Sequence, residues 1–227
     1  MHGLPPREPP MSRLVAEFSV PDTELTREAY AFAAGLEPVA MLNHSVRSYL
    51  FGRAAGEGRG LRPGADYDDE LLFLAAVLHD VGLTGRGDGR QRFEVDGADL
   101  AAGFLRERGL SEERVETVWA SIALHTSAGI ADRMRPEIAL ISTGTGIDVA
   151  GRDADRLPEG LADRVHAALP RLAEGGGVLE VIIEQAVRDP AKAPLGSLAF
   201  ELARQSAPGT PVPDWRALVA DAWPGVD

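Results

Sequence analysis

A run of eight apolar residues, Leu71 to Leu78, leads directly into two ionisable side chains. The run follows three acidic residues and is apolar on every side of a helix, which is typical of a helix at the centre of a core. His79 and Asp80 come next, so a carboxylate lies at the carboxyl end of a buried helix. The helix dipole and the apolar surroundings both disfavour a negative charge at that position.

A divalent cation beside Asp80 would offset both costs and would favour a neutral, metal-binding imidazole at His79. The alternative is that the helix ends at the surface, with both side chains exposed to water. The wider sequence favours the cation, because three further candidate residues lie in or beside apolar helical stretches: His44, His125 and Asp148. By contrast, His2 and His166 lie in polar segments, and we expect them to be solvated.

The chain has no cysteine, which excludes disulfides, thiolate zinc sites and cysteine nucleophiles. Any metal ion must therefore be bound by histidine, aspartate, glutamate or water. Two imidazoles and two carboxylates suit zinc, iron(II) or manganese and leave room for a water. The net charge of −12 argues against nucleic acid or an anionic membrane as the main partner and favours a small-molecule substrate.

Helical periodicity dominates the chain, so the predicted fold class is all-α, a single bundle over residues 21–227. We expect residues 1–20 to form a flexible, proline-rich leader. No run approaches the ~18 apolar residues that a membrane-spanning helix needs, and without an export signal the expected compartment is the cytoplasm. Glycines predict a loop over residues 52–64 and an interruption at Gly144 and Gly146, and Asp96 is expected to cap a helix.

Five segments, in this order along the chain, resemble the HD-domain superfamily and, within it, the cyanamide hydratase family. They are Asn43 to Gly52 (NHSVRSYLFG), Leu74 to Thr84 (LAAVLHDVGLT), Arg92 to Asp99 (RFEVDGAD), Ala123 to Ala131 (ALHTSAGIA) and Pro136 to Gly151 (PEIALISTGTGIDVAG). The superfamily pattern is a histidine, a His-Asp pair and a final aspartate on separate helices. The matching metal positions here are His44, His79, Asp80 and Asp148.

The resemblance implies an all-helical HD-domain bundle with one divalent metal ion, zinc or iron(II). Related enzymes with two metals have two further histidines between the His-Asp pair and the last aspartate, and this chain has only His125 there. A single metal is therefore favoured, and the di-iron oxygenase version of the fold is disfavoured. Glu94 is an alternative ligand, although a glutamate just before a helix start is more often structural.

The activity implied by the resemblance is that of a hydratase, a lyase that adds water to a small nitrile-type substrate, as in cyanamide to urea. A metal ion lowers the pKa of bound water from 15.7 to about 7 and so supplies hydroxide at neutral pH. The predicted catalytic residues are Asp80, His125 and Thr126. Asp80, or alternatively Asp148, would take the proton of the water, and His125 would bind the substrate or pass a proton to its nitrogen.

Phosphohydrolysis of a nucleotide or another phosphate ester is the main alternative, because it is the commonest activity of the superfamily. It needs positive charge, for which Arg47, Arg90 and Arg92 are the candidates, although each is more often a salt-bridge partner. A binding protein that kept the metal and lost catalysis is a third possibility. The single lysine, Lys192, and the acidic balance favour a small neutral substrate.

Overall fold

The computed structural model describes residues 9–172, 177–207 and 209–223. In these ranges the secondary structure is helical and contains no β-strand, which confirms the all-α prediction. The helices are α1 (Met11–Phe18), α2 (Glu24–Ala34), α3 (Val39–Gly58), α4 (Asp69–Leu78), α5 (Phe93–Glu107), α6 (Glu112–Leu124), α7 (Pro136–Ala150), α8 (Leu161–Ala168), α9 (Val178–Arg188), α10 (Leu198–Ser206) and α11 (Trp215–Asp221). None of these described helices is both long and apolar enough to cross a membrane.

α4 is the central helix of the bundle. The Asp68 carboxylate begins it by accepting hydrogen bonds from the backbone N–H groups of Glu70 and Leu71, as expected for an N-cap. Every residue from Leu71 to Leu78 is buried, and α2, α3, α6 and α7 pack around the helix. The chain therefore leaves α4 inside the protein, and His79 and Asp80 follow while still buried.

α3 and α7 cross backbone to backbone, because a glycine of each helix lies at the crossing. A Cβ atom on Gly144 would overlap the backbone carbonyl oxygen of Ser48, and one on Gly52 would lie 2.5 Å from that of Leu140. The two glycines thus serve close packing within continuous helices. The predicted interruption of α7 was wrong for this reason, since α7 continues to Ala150. The predicted loop was wrong over residues 52–58, which continue α3, and was confirmed over residues 59–64.

α1 replaces part of the expected flexible leader. Its Leu14 is fully buried in the core, and the hydroxyl of Tyr30 donates a hydrogen bond to the backbone oxygen of Pro9. The prediction was wrong for residues 11–18, because the proline content gave no sign of this core contact. Residues 1–8, including His2, lie outside the described part of the chain.

The helices α9 and α10 pack on the bundle through a smaller apolar cluster that includes Met41, Leu83 and Phe93. Lys192, in the short segment between α9 and α10, binds Asp88 of the turn after α4 at 2.5 Å and Asp96 of α5 at 2.8 Å through its ammonium group. Asp96 therefore lies inside the first turn of α5 as an ion-pair partner, and its predicted role as a helix cap was wrong.

Candidate metal centre

Three side chains direct donor atoms toward one buried point at the end of α4. His44 Nε2 lies 3.2 Å from His79 Nε2 and 3.6 Å from Asp80 Oδ2, and His79 Nε2 lies 3.2 Å from the same carboxylate oxygen. The three residues are between 1% and 4% exposed. His44 comes from α3, while the other two follow directly from α4, so the packing of these two helices assembles the group.

In each imidazole, the hydrogen bond of Nδ1 determines which nitrogen faces the centre. His79 Nδ1 lies 2.7 Å from the backbone carbonyl of Ala76, which can only accept, so this nitrogen carries the hydrogen. His44 Nδ1 likewise lies 2.6 Å from a carboxylate oxygen of Asp148. Both Nε2 atoms therefore turn lone pairs toward each other and toward Asp80 Oδ2, which has no hydrogen-bond partner in the described structure. A divalent cation fits this donor set, because it would satisfy all three atoms at once.

The charges at the centre agree with this fit. Burial alone would raise the pKa of Asp80, but the neighbouring imidazoles of His79, His44 and His125 together outweigh burial and lower that pKa. Burial alone would lower the pKa of His79, but Asp80, the Ala76 carbonyl and Asp148 together outweigh burial and raise that pKa. Without a metal ion, His79 thus holds a proton more readily than an ordinary histidine does. A metal ion would take the place of that proton.

Asp148 lies on the other side of the His44 ring from these donor atoms. Its carboxylate accepts from His44 Nδ1 and from two nitrogens of Arg47, at 2.6 Å and 2.8 Å. Burial opposes the charge of Asp148, but the hydrogen bonds from His44 and Arg47 lower its pKa. Of the four predicted ligands, the structure thus brings three together and places the fourth where it orients His44. A carboxylate behind a metal-binding histidine is a common arrangement in metal sites.

His125 lies beside the centre, with its ring centroid 4.8 Å from that of His79. Its Nδ1 donates a hydrogen bond to the backbone carbonyl of Ile122, so Nε2 is an acceptor. Burial and the neighbouring His79 lower the pKa of His125 to about 4, which keeps the ring neutral at pH 7. His125 also lines the cavity described below, and its free nitrogen is therefore available to a substrate.

Thr126 and Glu94 form a network with Arg92 next to His125. The Thr126 hydroxyl donates to Glu94, and Arg92 donates to both of them. Glu94 is thus held by hydrogen bonds and lies outside the group of three converging residues. Thr126 lines the cavity, but its hydroxyl proton is already engaged, which argues against a direct part in proton transfer.

A cavity of about 280 Å³ opens from the centre. His44, Asp80 and His125 lie on its wall together with residues of α7, α9 and α10. Arg152, which follows α7, also lies on this wall, and its guanidinium has no ion-pair partner among the described residues. No sequence pattern pointed to Arg152, since its place depends on how the loop after α7 folds back.

The other predicted cations lie away from the cavity wall. Arg47 is buried against Asp148, Arg92 is bound to Glu94, and Arg90 is exposed. His166 was expected to be solvated, but it packs against Phe51, with its Nε2 3.9 Å from a carboxylate oxygen of Asp148. The expectation was therefore only partly right, because 39% of the side chain is exposed while Nε2 is buried.

Comparison with known proteins identifies the fold family. The family model described as "HD domain" matches residues 41–167, which is more than half of the chain. The chain belongs to the HD domain family. HD domains bind divalent metal ions, and the buried group of His44, His79 and Asp80 lies within the matched residues of this HD-domain protein.

Two curated relatives are cyanamide hydratases of Saccharomyces cerevisiae, DDI2 and DDI3. Each is 23% identical to this chain over 155 residues, a match that covers 67% of this chain and 68% of the relative. The predicted resemblance to the HD domain is confirmed, and the similarity to the cyanamide hydratases is distant.

Proposed function

We propose that this HD-domain protein is a metal-dependent enzyme that adds water to a small nitrile-type substrate, with conversion of cyanamide to urea as its test reaction. One observation carries the proposal: the buried group of His44, His79 and Asp80 borders a small cavity whose wall includes His44, Asp80 and His125, the last with an acceptor nitrogen at Nε2. The names of the yeast relatives DDI2 and DDI3 support the same reaction.

The metal in this proposal is one divalent ion, zinc or iron(II), held by His44, His79 and Asp80. Asp148 is the fourth metal position of the family pattern, and in the observed arrangement it would support the ion by fixing the Nδ1 hydrogen of His44. A bound ion of this kind lowers the pKa of a water ligand to about 7 and so supplies a nucleophile at neutral pH.

The protein side chains around the ion have distinct tasks. Asp80 is ionised and lies on the cavity wall, so its carboxylate can hold the proton that the attacking water gives up. His125 accepts a hydrogen bond through Nε2, which suits the amino N–H of cyanamide and of urea. A neutral His125 has no proton to give at Nε2, so the proton that reaches the nitrile nitrogen would come from Asp80 or water. Hydration adds the oxygen of water to the nitrile carbon and both protons of water to the nitrile nitrogen, so the C≡N triple bond becomes a C–N single bond and the carbon gains a C=O double bond.

The cavity wall favours hydration over phosphohydrolysis. Two of the arginines that could have bound a phosphate, Arg47 and Arg92, are already paired with Asp148 and Glu94. Arg152 is the remaining cation on the wall, whereas phosphoryl transfer usually relies on several positive groups around the phosphate. A neutral substrate therefore matches this wall better than a phosphate ester.

The proposal is tested by offering the metal-loaded protein cyanamide and, separately, a panel of nucleotides and phosphate esters, with urea and phosphate as the products measured. We expect urea from cyanamide, and its loss in His79→Ala. The control is Glu57→Ala, which removes an exposed side chain of α3 that does not line the cavity. Phosphate release without urea formation would overturn the proposal.

A further inference from the structure

The cavity is much larger than cyanamide, the test substrate of the proposed function. Its volume is about 280 Å³, whereas a water molecule takes up about 30 Å³ of the liquid. If each non-hydrogen atom of H₂N–C≡N is given the share of one water, cyanamide fills roughly a third of the cavity. The remaining space must hold water or another part of the substrate.

The wall away from the metal centre is apolar and comes from three helices. Its side chains are Val149 and Ala150 of α7, Val178, Leu179 and Ile182 of α9, and Leu198 and Leu202 of α10. The helices α9 and α10 lie beyond residue 167, where the match to the family model ends. This part of the wall is therefore a feature of this chain outside the matched HD domain.

Apart from the metal centre and His125, the polar residues on the wall are Thr126, Ser142, Thr145 and Arg152. Thr145 donates its hydroxyl to the backbone oxygen of Ser142, and Thr126 donates to Glu94. Asp80 belongs to the metal centre, and Arg152 is largely exposed to solvent. A cationic or uncharged polar substituent would lose its hydration among the apolar side chains of α7, α9 and α10 without gaining a partner from them, and an anionic one would find Arg152 only at the solvent-exposed part of the wall.

We infer that the substrate is an uncharged nitrile or substituted cyanamide that carries a hydrocarbon group. The nitrile would face the metal centre, while the hydrocarbon group would occupy the space between α7, α9 and α10. This inference rests on the proposed function for the reaction, but the apolar part of the pocket is a separate claim. Burial of each additional methylene should favour binding by about fourfold.

The first experiment compares turnover along a series of uncharged linear nitriles, from acetonitrile to hexanenitrile, with the metal-loaded full-length protein. We expect kcat/KM to rise by about fourfold per methylene until the cavity is filled. A flat or falling series, with cyanamide still hydrated, would overturn the inference and leave the proposed function standing.

The second experiment measures binding without turnover, with hexanamide and acetamide as product-like probes in calorimetric titrations. We expect hexanamide to bind at least tenfold more tightly than acetamide. Val149→Phe, and independently Leu198→Trp, should remove that preference by filling the cavity. The matched control is Val187→Phe, because Val187 is an exposed residue of α9 that lies off the cavity wall.

The two experiments separate the two proposals. A preference for hexanamide that Val149→Phe and Leu198→Trp abolish, in a protein that hydrates no nitrile, supports the pocket and contradicts the proposed reaction. Equal binding of the two amides, or an equal loss in Val187→Phe, contradicts the pocket whatever the reaction.

Discussion

At the scale of single residues, the centre depends on hydrogen bonds that lie behind its imidazoles. The carbonyl of Ala76 holds the hydrogen of His79 on Nδ1, and Asp148 does the same for His44. Both rings therefore present the same nitrogen to the centre before any ion arrives. Such preorganisation raises metal affinity, because no tautomer has to change when the ion binds.

Asp148→Asn tests whether the hydrogen bond from His44 to Asp148 supports metal binding. The amide keeps the shape of the side chain but loses the charge that pairs with Arg47 and holds the hydrogen of His44. We expect metal affinity to fall by about 10–100-fold, measured by competition with a chelator on the folded protein. Asp153→Asn is the control, because that carboxylate is exposed and pairs only with Arg156 among the described residues. Unchanged affinity in Asp148→Asn would contradict the role given to Asp148.

Glu37 provides a prediction on pH dependence. It is 7% exposed, and neither carboxylate oxygen has a hydrogen-bond partner in the described structure. Burial raises the pKa of Glu37 well above 4.5, and Asp80 raises it further, while Ser45 lowers it. The folded protein thus keeps this proton at pH values where the unfolded chain has lost it, so the contribution of Glu37 to stability falls as pH rises above 4.5.

Glu37→Gln should remove the loss of folding stability that Glu37 causes as the pH rises above 4.5. We expect the variant to match the parent near pH 4.5 and to be more stable at pH 8, by chemical denaturation in the presence of a chelator. Glu57→Gln, at an exposed position of α3, is the control and should change little. A parent protein that loses no stability relative to Glu37→Gln between these pH values would contradict the prediction.

At the scale of secondary-structure elements, the crossing of α3 and α7 determines the distance between His44 and Asp148. Gly144 lies about one helical turn before Asp148, and Ser48 one turn after His44. The backbone contact between Gly144 and Ser48 therefore brings the two functional side chains within hydrogen-bond distance. Separating α3 and α7 at the Gly144–Ser48 contact would lengthen the hydrogen bond between His44 and Asp148, one helical turn away, and so weaken metal binding.

Gly144→Ala should push the two helices apart. The added methyl group meets a backbone oxygen that has no rotamer to change, so we expect a loss of about 1–3 kcal/mol of folding free energy and weaker metal binding. Urea denaturation and chelator competition measure the two effects. Gly58→Ala, at the end of α3 with open space around its Cβ position, should be neutral or slightly stabilising. Equal behaviour of the two variants would refute the role of the crossing.

Comparison of the observed helices with the sequence shows which features a single sequence can predict. The apolar run of α4 and the His-Asp pair after it predict a buried helix that ends in ionisable groups, because local pattern alone determines both. Gly52 and Gly144 look like helix breakers in a single sequence, since only the partner helix reveals that they serve close packing. The hydrogen bond from His44 to Asp148 spans 104 positions, and no local pattern reports it.

At the scale of the whole molecule, the C-terminal helices complete a cavity that the HD domain opens. The sequence predicts helices in the region of α9 and α10 but does not predict that they lie beside the metal centre. Their contacts with that centre join residues far apart in the chain, and no local pattern reports such contacts. Lys192 is the buried cation among the side chains that tie this region to the turn after α4, the others being Gln185 and Arg188. It is 1% exposed, so its charge depends on Asp88 and Asp96 for compensation.

Lys192→Met tests whether this ion pair holds the C-terminal helices in place. Removing one partner of a buried ion pair leaves carboxylates without compensation, so we expect a loss of about 3 kcal/mol of folding free energy. Arg188→Met is the matched control, because Arg188 also pairs with Asp88 but is exposed, and it should cost less than about 1 kcal/mol.

Hydrogen exchange shows whether Lys192→Met loosens only α9 and α10 or destabilises the whole bundle. If Lys192 holds α9 and α10 against the bundle, hydrogen exchange in Lys192→Met should accelerate between Val178 and Ser206 and stay slow in α4. The preference for hexanamide over acetamide should fall in the same variant, because the apolar wall comes from these helices. Uniform acceleration across the bundle would instead mean that the ion pair stabilises the fold as a whole, and the cavity wall would then need another anchor.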